Sequence, residues 1–200
     1  TQVCDQFNPV VLINRAFAHP HAGNVRTDDF TGTYQAVKQL IKKGHRKIGF
    51  VLGLPYSRSS QLRHQGYLAA LKDSSFPIEG SWALHSSAAI DSGYHTAKKL
   101  LNRHPDLTAM VIYNDVRAAG VLRACKEMAY DIPGKLAIVS HDNIALSSLL
   151  IPSLSTVDIP KEELGRQAIK MMMSMLEQPD QPPAMIQLTP QLILRESFKS

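Results

Sequence analysis

Apolar residues along the chain fall into short continuous runs, separated by longer stretches in which they recur every three or four positions. Pro9-Val10-Val11-Leu12-Ile13 and residues 47–52, 109–113 and 136–139 are runs of the first kind. Their length and β-branched content predict strands buried on both faces. Trp82-Ala83-Leu84 is a weaker strand of the same type. The stretches between them have helical spacing. Asp28 or Asp29 suits a helix start, Ala36, Val37, Leu40 and Ile41 form its apolar stripe, and Gly44 suits its stop. Ser59 or Ser60 is placed to cap a helix carrying Leu62, Tyr67, Ala70 and Leu71. Asp91 or Ser92 opens a helix with Tyr94, Ala97, Leu100 and Leu101 on one face, ending before Pro105. Asp115 opens another, with Ala118, Val121, Leu122 and Cys125.

Strand–helix alternation at this spacing implies parallel strands with helical crossovers, an α/β sheet covered on both faces. After Ser140 the rhythm changes. A short irregular or helical stretch near residues 145–150 leads to a strand at 154–157 and a long helix over Lys161–Glu177, with Leu164, Ala168, Met171, Met172 and Met175 inward. The run Met171-Met172-Met173 reads as adaptable core filler. A Pro-rich loop at 178–183 precedes closing strands at 184–188 and 191–194.

Composition adds limits. Of 200 residues, 44% are hydrophobic, which excludes a disordered polar chain and suffices for a core. The longest apolar run is too short for a transmembrane helix. The first six residues lack the basic segment and apolar stretch of a secretory signal. The net charge is +5, which hints at anionic partners without specifying nucleic acid. The densest basic cluster, Lys42-Lys43-Gly44-His45-Arg46-Lys47, suits a helix C-terminus followed by a surface turn, with a phosphate-contacting patch as the alternative. Cys4 and Cys125 have no metal-site spacing; Cys125 sits among apolar helix positions as a buried thiol. A reduced, cytoplasmic protein without metal or cofactor is expected.

In open α/β sheets, ligands lie just beyond the carboxyl ends of the parallel strands. The residues following the strands here are Asn14-Arg15, the 53–60 segment leading to Arg63, Asn114-Asp115, and Ser140-His141-Asp142-Asn143. Amides, hydroxyls, carboxylates and a guanidinium together suit a polyhydroxylated or planar polar ligand. Each residue also has a plainer role, Asp115 as a helix cap and Asp142 as a turn anchor. Enzymatic signatures are weak: the chain lacks a Gly-rich dinucleotide fingerprint, a P-loop and a Gly-x-Ser-x-Gly elbow. The eight histidines show no metal-like spacing, and His141 and Asp142, adjacent on an extended segment, point in different directions.

Several segments resemble the lactose/galactose repressor family of bacterial transcription regulators. They are Lys42 to Gly49 with its Gly-His-Arg-x-Ile core, Arg63-His64-Gln65-Gly66-Tyr67-Leu68-Ala69-Ala70-Leu71, and Thr108 to Asp115 followed by Ala118-Ala119-Gly120. Ile132-Pro133 through Ile138-Val139 and Asp142, then Pro152 to Val157, Leu164-Gly165 and Pro190 to Ser197 continue the match in order over nearly the whole chain.

The resemblance implies a two-lobed, periplasmic-binding-protein-like fold with parallel sheets, three crossing segments and a ligand between the lobes. Residues 1–25 and 161–188 would form a partial N-terminal lobe, and 26–158 with 191–200 the C-terminal lobe. A helix-turn-helix, a hinge and several strand–helix units that family members carry ahead of residues 10–13 are absent from this sequence, and the missing part is expected to belong to the biological protein. Carried over one at a time, Arg63 matches an arginine that grips effector hydroxyls or acid groups, Asn114 an amide after the hallmark strand, and Asp142 a carboxylate that closes on the ligand. Asn14 falls where some members place a polar pocket residue on the other lobe. Ala88 replaces an aromatic ring that stacks on the ligand in several members. Ser140-His141-Asp142-Asn143 replaces Gly-Phe-Asp-Asp, implying a polar rim able to titrate near neutrality.

The resulting expectation is a non-enzymatic, cytoplasmic effector-sensing domain, homodimeric, binding a sugar or sugar derivative, with no membrane contact. It would reach operator DNA only through the missing N-terminal domain. Arg63→Ala and Asp142→Ala should each abolish ligand-induced stabilisation without unfolding the apo protein. The alternative is a periplasmic sugar-binding receptor of the same fold.

Overall fold

The computed structural model describes residues 4, 6–15 and 19–198. In chain order the elements are β1 (Val10–Ile13), β2 (Ala22–Thr27), α1 (Asp29–Lys42), β3 (Ile48–Leu52), α2 (Arg58–Lys72), β4 (Ala83–His85), α3 (Ile90–Arg103), β5 (Ala109–Ile112), α4 (Asp115–Glu127), β6 (Ala137–Asp142), α5 (Ala145–Leu149), β7 (Ser155–Asp158), α6 (Lys161–Glu177), β8 (Met185–Leu188) and β9 (Gln191–Ile193). They divide into two compact units, Thr1–Asp28 with Pro160–Pro190, and Asp29–Ile159 with Gln191–Ser200.

The larger unit holds a sheet of order β4-β3-β5-β6-β7-β9, parallel except where β9 runs against β7. Every position of β3 and β5 is buried, as the continuous apolar runs require. Successive strand residues face opposite sides, so each strand feeds two cores. Phe50, Leu52, Val111 and Val139 pack with the α1 and α2 side chains Val37, Leu40, Tyr67 and Leu71. Val51, Met110, Ile112 and Ile138 pack with Leu100, Leu101, Val121 and Cys125 of α3 and α4. Burial pushes the Cys125 thiol up to about 12, so it stays protonated and inert. The helices of each pair touch backbone to backbone. A Cβ on Gly66 would lie 2.3 Å from the Phe30 carbonyl oxygen, and one on Gly120 would lie 1.9 Å from that of Ile90. Gly44, at φ +96°, ends α1 in a conformation that a side chain would strain.

The smaller unit pairs β1, β2 and β8 in parallel. Helix α6 covers β1 and β2 with Leu164, Ala168 and Met171, and a Cβ on Gly23 would meet the Met171 sulfur at 2.3 Å.

Four local readings are corrected. Strand β2 was not predicted, because Gly23, Asn24 and Arg26 interrupt its apolar pattern. Gly23 instead admits Met171, and the Asn24 amide donates to the Arg15 carbonyl. Ser57, rather than Ser59 or Ser60, caps α2: its extended backbone lets Oγ accept from the Ser60 N–H at 3.4 Å. Asn114, rather than Asp115, caps α4, and Ala89 precedes α3 with no side-chain capping bond. Among the described residues no helix is long and apolar enough to cross a membrane.

Candidate functional site

Strands β3, β4, β5, β6 and β7 of the larger unit are parallel, so their carboxyl ends share one edge. Arg63 of α2 reaches this edge with only 4% of its surface exposed. Its Nε donates to Asp29 Oδ1 at 2.7 Å, its Nη1 to the Tyr113 carbonyl, and its Nη2 to Asp142 Oδ1 at 3.4 Å. Burial alone would lower the Arg63 pKa; the carboxylates of Asp29 and Asp142 outweigh that and leave it raised.

The guanidinium carbon of Arg63 lies 4.6 Å from the centre of the Tyr113 ring, and so does that of Arg117. The two arginines arrive from α2 and α4, helices that cover opposite faces of the sheet. Tyr113 continues β5 and swings over Gly53 at the end of β3, where any Cβ would come within 2.7 Å of the ring. Arg117 is 3% exposed. Its Nε donates to Ser86 Oγ at 2.9 Å and its Nη1 to Asn114 Oδ1 at 3.0 Å. Burial lowers the Arg117 pKa, offset only in part by Tyr113 and Asp142. Asn114 also accepts from the Arg117 backbone N–H at 3.2 Å, the bond that caps α4.

Asp142 and Asn143 both take positive φ, 101° and 47°. Short polar side chains tolerate that region best. A network ties the bend down. The Asn143 amide nitrogen donates to Asp158 at 2.8 Å, while its oxygen accepts from Arg195 at 2.7 Å. Asp115, fully buried, accepts from the Ile144 N–H at 2.9 Å and the Thr156 hydroxyl at 2.8 Å. Burial raises its pKa, and the Ser140 hydroxyl, the Ile144 N–H and the Thr156 hydroxyl hold the rise back.

His141 overturns the titrating-rim expectation. It is 1% exposed, with Nε2 3.1 Å from Thr33 Oγ1. The Thr33 hydroxyl donates to the Asp29 carbonyl at 3.1 Å, so Nε2 carries the proton and donates to Thr33. Burial first, and then the Arg63 charge, push the His141 pKa well below its ordinary value. The ring lies in the core because its side of β6 faces Thr33 of α1.

Of the residues singled out from the sequence, Arg63, Asn114 and Asp142 gather at this edge, linked through Tyr113 and Arg117. Asn14 belongs to the smaller unit, where its Oδ1 accepts from the Thr27 N–H at 2.8 Å. Ala88 is exposed in the loop after β4. Sequence reasoning missed Asp29, Ser86, Tyr113 and Arg117. Arg117 alone left a signal: a cation in the first turn of a helix opposes the dipole and needs a compensating reason. Truncating Arg63 would strand Asp29, so Arg63→Ala is expected to cost apo stability as well as ligand contacts. Collectively these groups can hold a polar ligand by several directed hydrogen bonds.

Residues 37–198 match the periplasmic binding protein-like domain family. The HTH-type transcriptional repressor PurR of Haemophilus influenzae is 34% identical over 186 residues, 90% of this chain and 55% of its own length. A regulatory protein of the LacI family from Chloroflexus aggregans superposes with a TM-score of 0.89 at 32% identity, covering 98% of this chain and 70% of its own. The transcriptional regulator CelR, solved as a cellobiose complex, gives a TM-score of 0.88 at 26% identity, covering 94% of this chain and 58% of its own. The chain belongs to the periplasmic binding protein-like domain family, as an effector-binding domain of the LacI/GalR type. It spans about half the length, 55%, of the curated relative it matches.

Proposed function

We propose that this chain is the effector-sensing part of a cytoplasmic LacI/GalR-type transcription regulator, without catalytic activity of its own, and that its ligand is a sugar or sugar derivative. The observation that carries the reading is the gathering of Arg63, Asn114 and Asp142 at one edge of parallel strands. Arg63 would donate to ligand oxygens, Asp142 would accept from ligand hydroxyls, and Asn114 would add an amide contact. The two units correspond to the two lobes of the family's fold, and Asn14, in the smaller one, is a polar residue available to a ligand there. The sugar class draws on CelR and its cellobiose.

In the whole protein, the effector would bias a conformational equilibrium by its differential affinity for the two states. That bias would be coupled through a homodimer to operator DNA held by a separate DNA-binding region. The regulator is preferred to a periplasmic receptor because the curated relatives carry the name of HTH-type repressors.

The test is a thermal-shift titration with cellobiose, D-ribose and D-glucose 6-phosphate, on the wild type and on Asp142→Asn. A probe that stabilises the wild type should lose about tenfold or more in affinity in Asp142→Asn, while the apo melting temperature changes little. Unchanged affinity in the variant would remove Asp142, and the edge it marks, from the reading.

A further inference from the structure

Asn114 Oδ1 takes two donors from a single residue, the Arg117 backbone N–H at 3.2 Å and the Arg117 Nη1 at 3.0 Å. Both are obligate donors, so the side-chain atom facing them is the oxygen, and the amide has one orientation. The NH2 group then points away from Arg117 and can only donate. Arg117 is itself fixed: Ser86 accepts from its Nε at 2.9 Å, and its guanidinium packs over the Tyr113 ring. Among the described residues, no carboxylate lies in ion-pair range of Arg117. A buried cation at a helix N-terminus, whose direct hydrogen-bond acceptors are neutral and which the Asp142 charge offsets only in part, costs stability, and holding the amide at the ligand-facing edge is a function that accounts for it.

We propose that Arg117 is a specificity-determining residue of this site: by fixing Asn114 Oδ1 it makes Asn114 a pure donor, so the effector must present a hydrogen-bond acceptor there. A hydroxyl or ring oxygen, a carbonyl or a phosphoryl oxygen meets that requirement; an ammonium group does not. The inference rests on the effector-site reading above. An amide free to turn would accept either partner, because Asn can offer oxygen or nitrogen. The Arg117 backbone N–H already favours the oxygen; the Arg117 guanidinium adds a second obligate donor to the same atom, so turning the amide would set NH2 against a cation, and a site built to donate rejects a ligand that cannot accept.

Asn114→Asp separates the possibilities. It keeps a capping oxygen, adds a carboxylate beside Arg117, and replaces the donor with an acceptor. In the 200-residue chain, the apo melting temperature of this variant should equal or exceed that of the wild type. Affinity for whichever of cellobiose, D-ribose or D-glucose 6-phosphate stabilises the wild type should fall by about tenfold or more. Arg117→Met should weaken the same probe by a smaller factor. It should also narrow the gap in affinity between that sugar and its amino-sugar analogue.

A probe-free measurement stands beside these. Followed by 13C NMR, the carboxyl introduced by Asn114→Asp should titrate below the usual carboxylate range, and return toward that range in the Asn114→Asp/Arg117→Met double variant. Full probe affinity in Asn114→Asp, or an ordinary titration of the new carboxyl, overturns the inference. If Asp142→Asn still abolishes binding in that case, the sensor reading survives without it. If none of the three probes binds, the sugar reading fails and the titration alone decides the role of Arg117.

Discussion

The two units bury their sheets to different depths. In the larger unit β3 and β5 are buried at every residue, and helices cover both faces. In the smaller unit β1, expected to be buried on both faces, is half-buried at Val10, Val11 and Leu12 and exposed at Ile13, and β8 alternates between exposed and half-buried positions. Its helix α6 buries Leu164, Ala168 and Met171 but leaves Ile169, Met173 and Leu176 in solvent. The same amino-acid types therefore carry different weight in the two units. A residue of the larger unit answers to neighbours on every side, whereas one on α6 answers mainly to its own helix. The polar edge follows the same rule: Arg63 donates to Asp29, Tyr113 and Asp142, and His141 is held by Thr33 in the core.

That contrast can be broken most forcefully at Arg63. Arg63→Met leaves Asp29, whose side chain is 9% exposed, as a buried carboxylate without its cation. The unfolding free energy in urea should drop by about 3–5 kcal/mol. A loss below about 1 kcal/mol would mean that the polar edge is no more tightly specified than the surface.

Glycine substitutions sharpen the comparison, because one change should act with opposite signs. Gly120→Ala forces a methyl group to within 1.9 Å of the Ile90 carbonyl oxygen and should destabilise by about 1–3 kcal/mol as α3 and α4 separate. The smaller unit's counterpart closes the series below.

His141 gives the pH dependence. Its pKa lies well below the ordinary value in the folded protein, so as pH falls the unfolded chain takes up the proton first. Stability is fully present above the ordinary histidine pKa and is lost as the solution becomes more acidic than that. The slope should approach about 1.4 kcal/mol per pH unit. Melting curves across the acid limb should show a shallower dependence for His141→Gln; parallel curves would exclude His141 as the source.

Gly165→Ala in α6 is the smallest change. A Cβ there meets nothing within 4 Å, so only helix propensity acts, and stability should rise by about 0.5–1 kcal/mol. Destabilisation measured by the same urea titration would show that α6 is as constrained as α4.

What could be read in advance follows the same division. Residues 48–52 and 109–112 announced themselves because burial on both faces leaves only apolar side chains. Lys161–Glu177 was legible from one apolar stripe. Strand β2 was hidden, since Gly23 serves a close contact with a distant methionine and Asn24 a distant carbonyl, and neither need shows in local periodicity. At the site, Arg63, Asn114 and Asp142 were found because strand ends collect polar residues. Tyr113 looked like the last residue of a strand, and Arg117 offered only a cation in the first turn of a helix. Their roles exist only once α2 and α4 bring two guanidinium groups to one ring.

The crowding around Tyr113 has a dynamic consequence. A phenol ring packed under two guanidinium groups, above a glycine with no room for a methyl, can rotate about its axis only when these neighbours give way together. Its half-turn rate, read from the line shapes of the aromatic protons, is therefore a native clock for how often this edge loosens. An occupant that tightens the surrounding contacts should slow that clock without touching the ring.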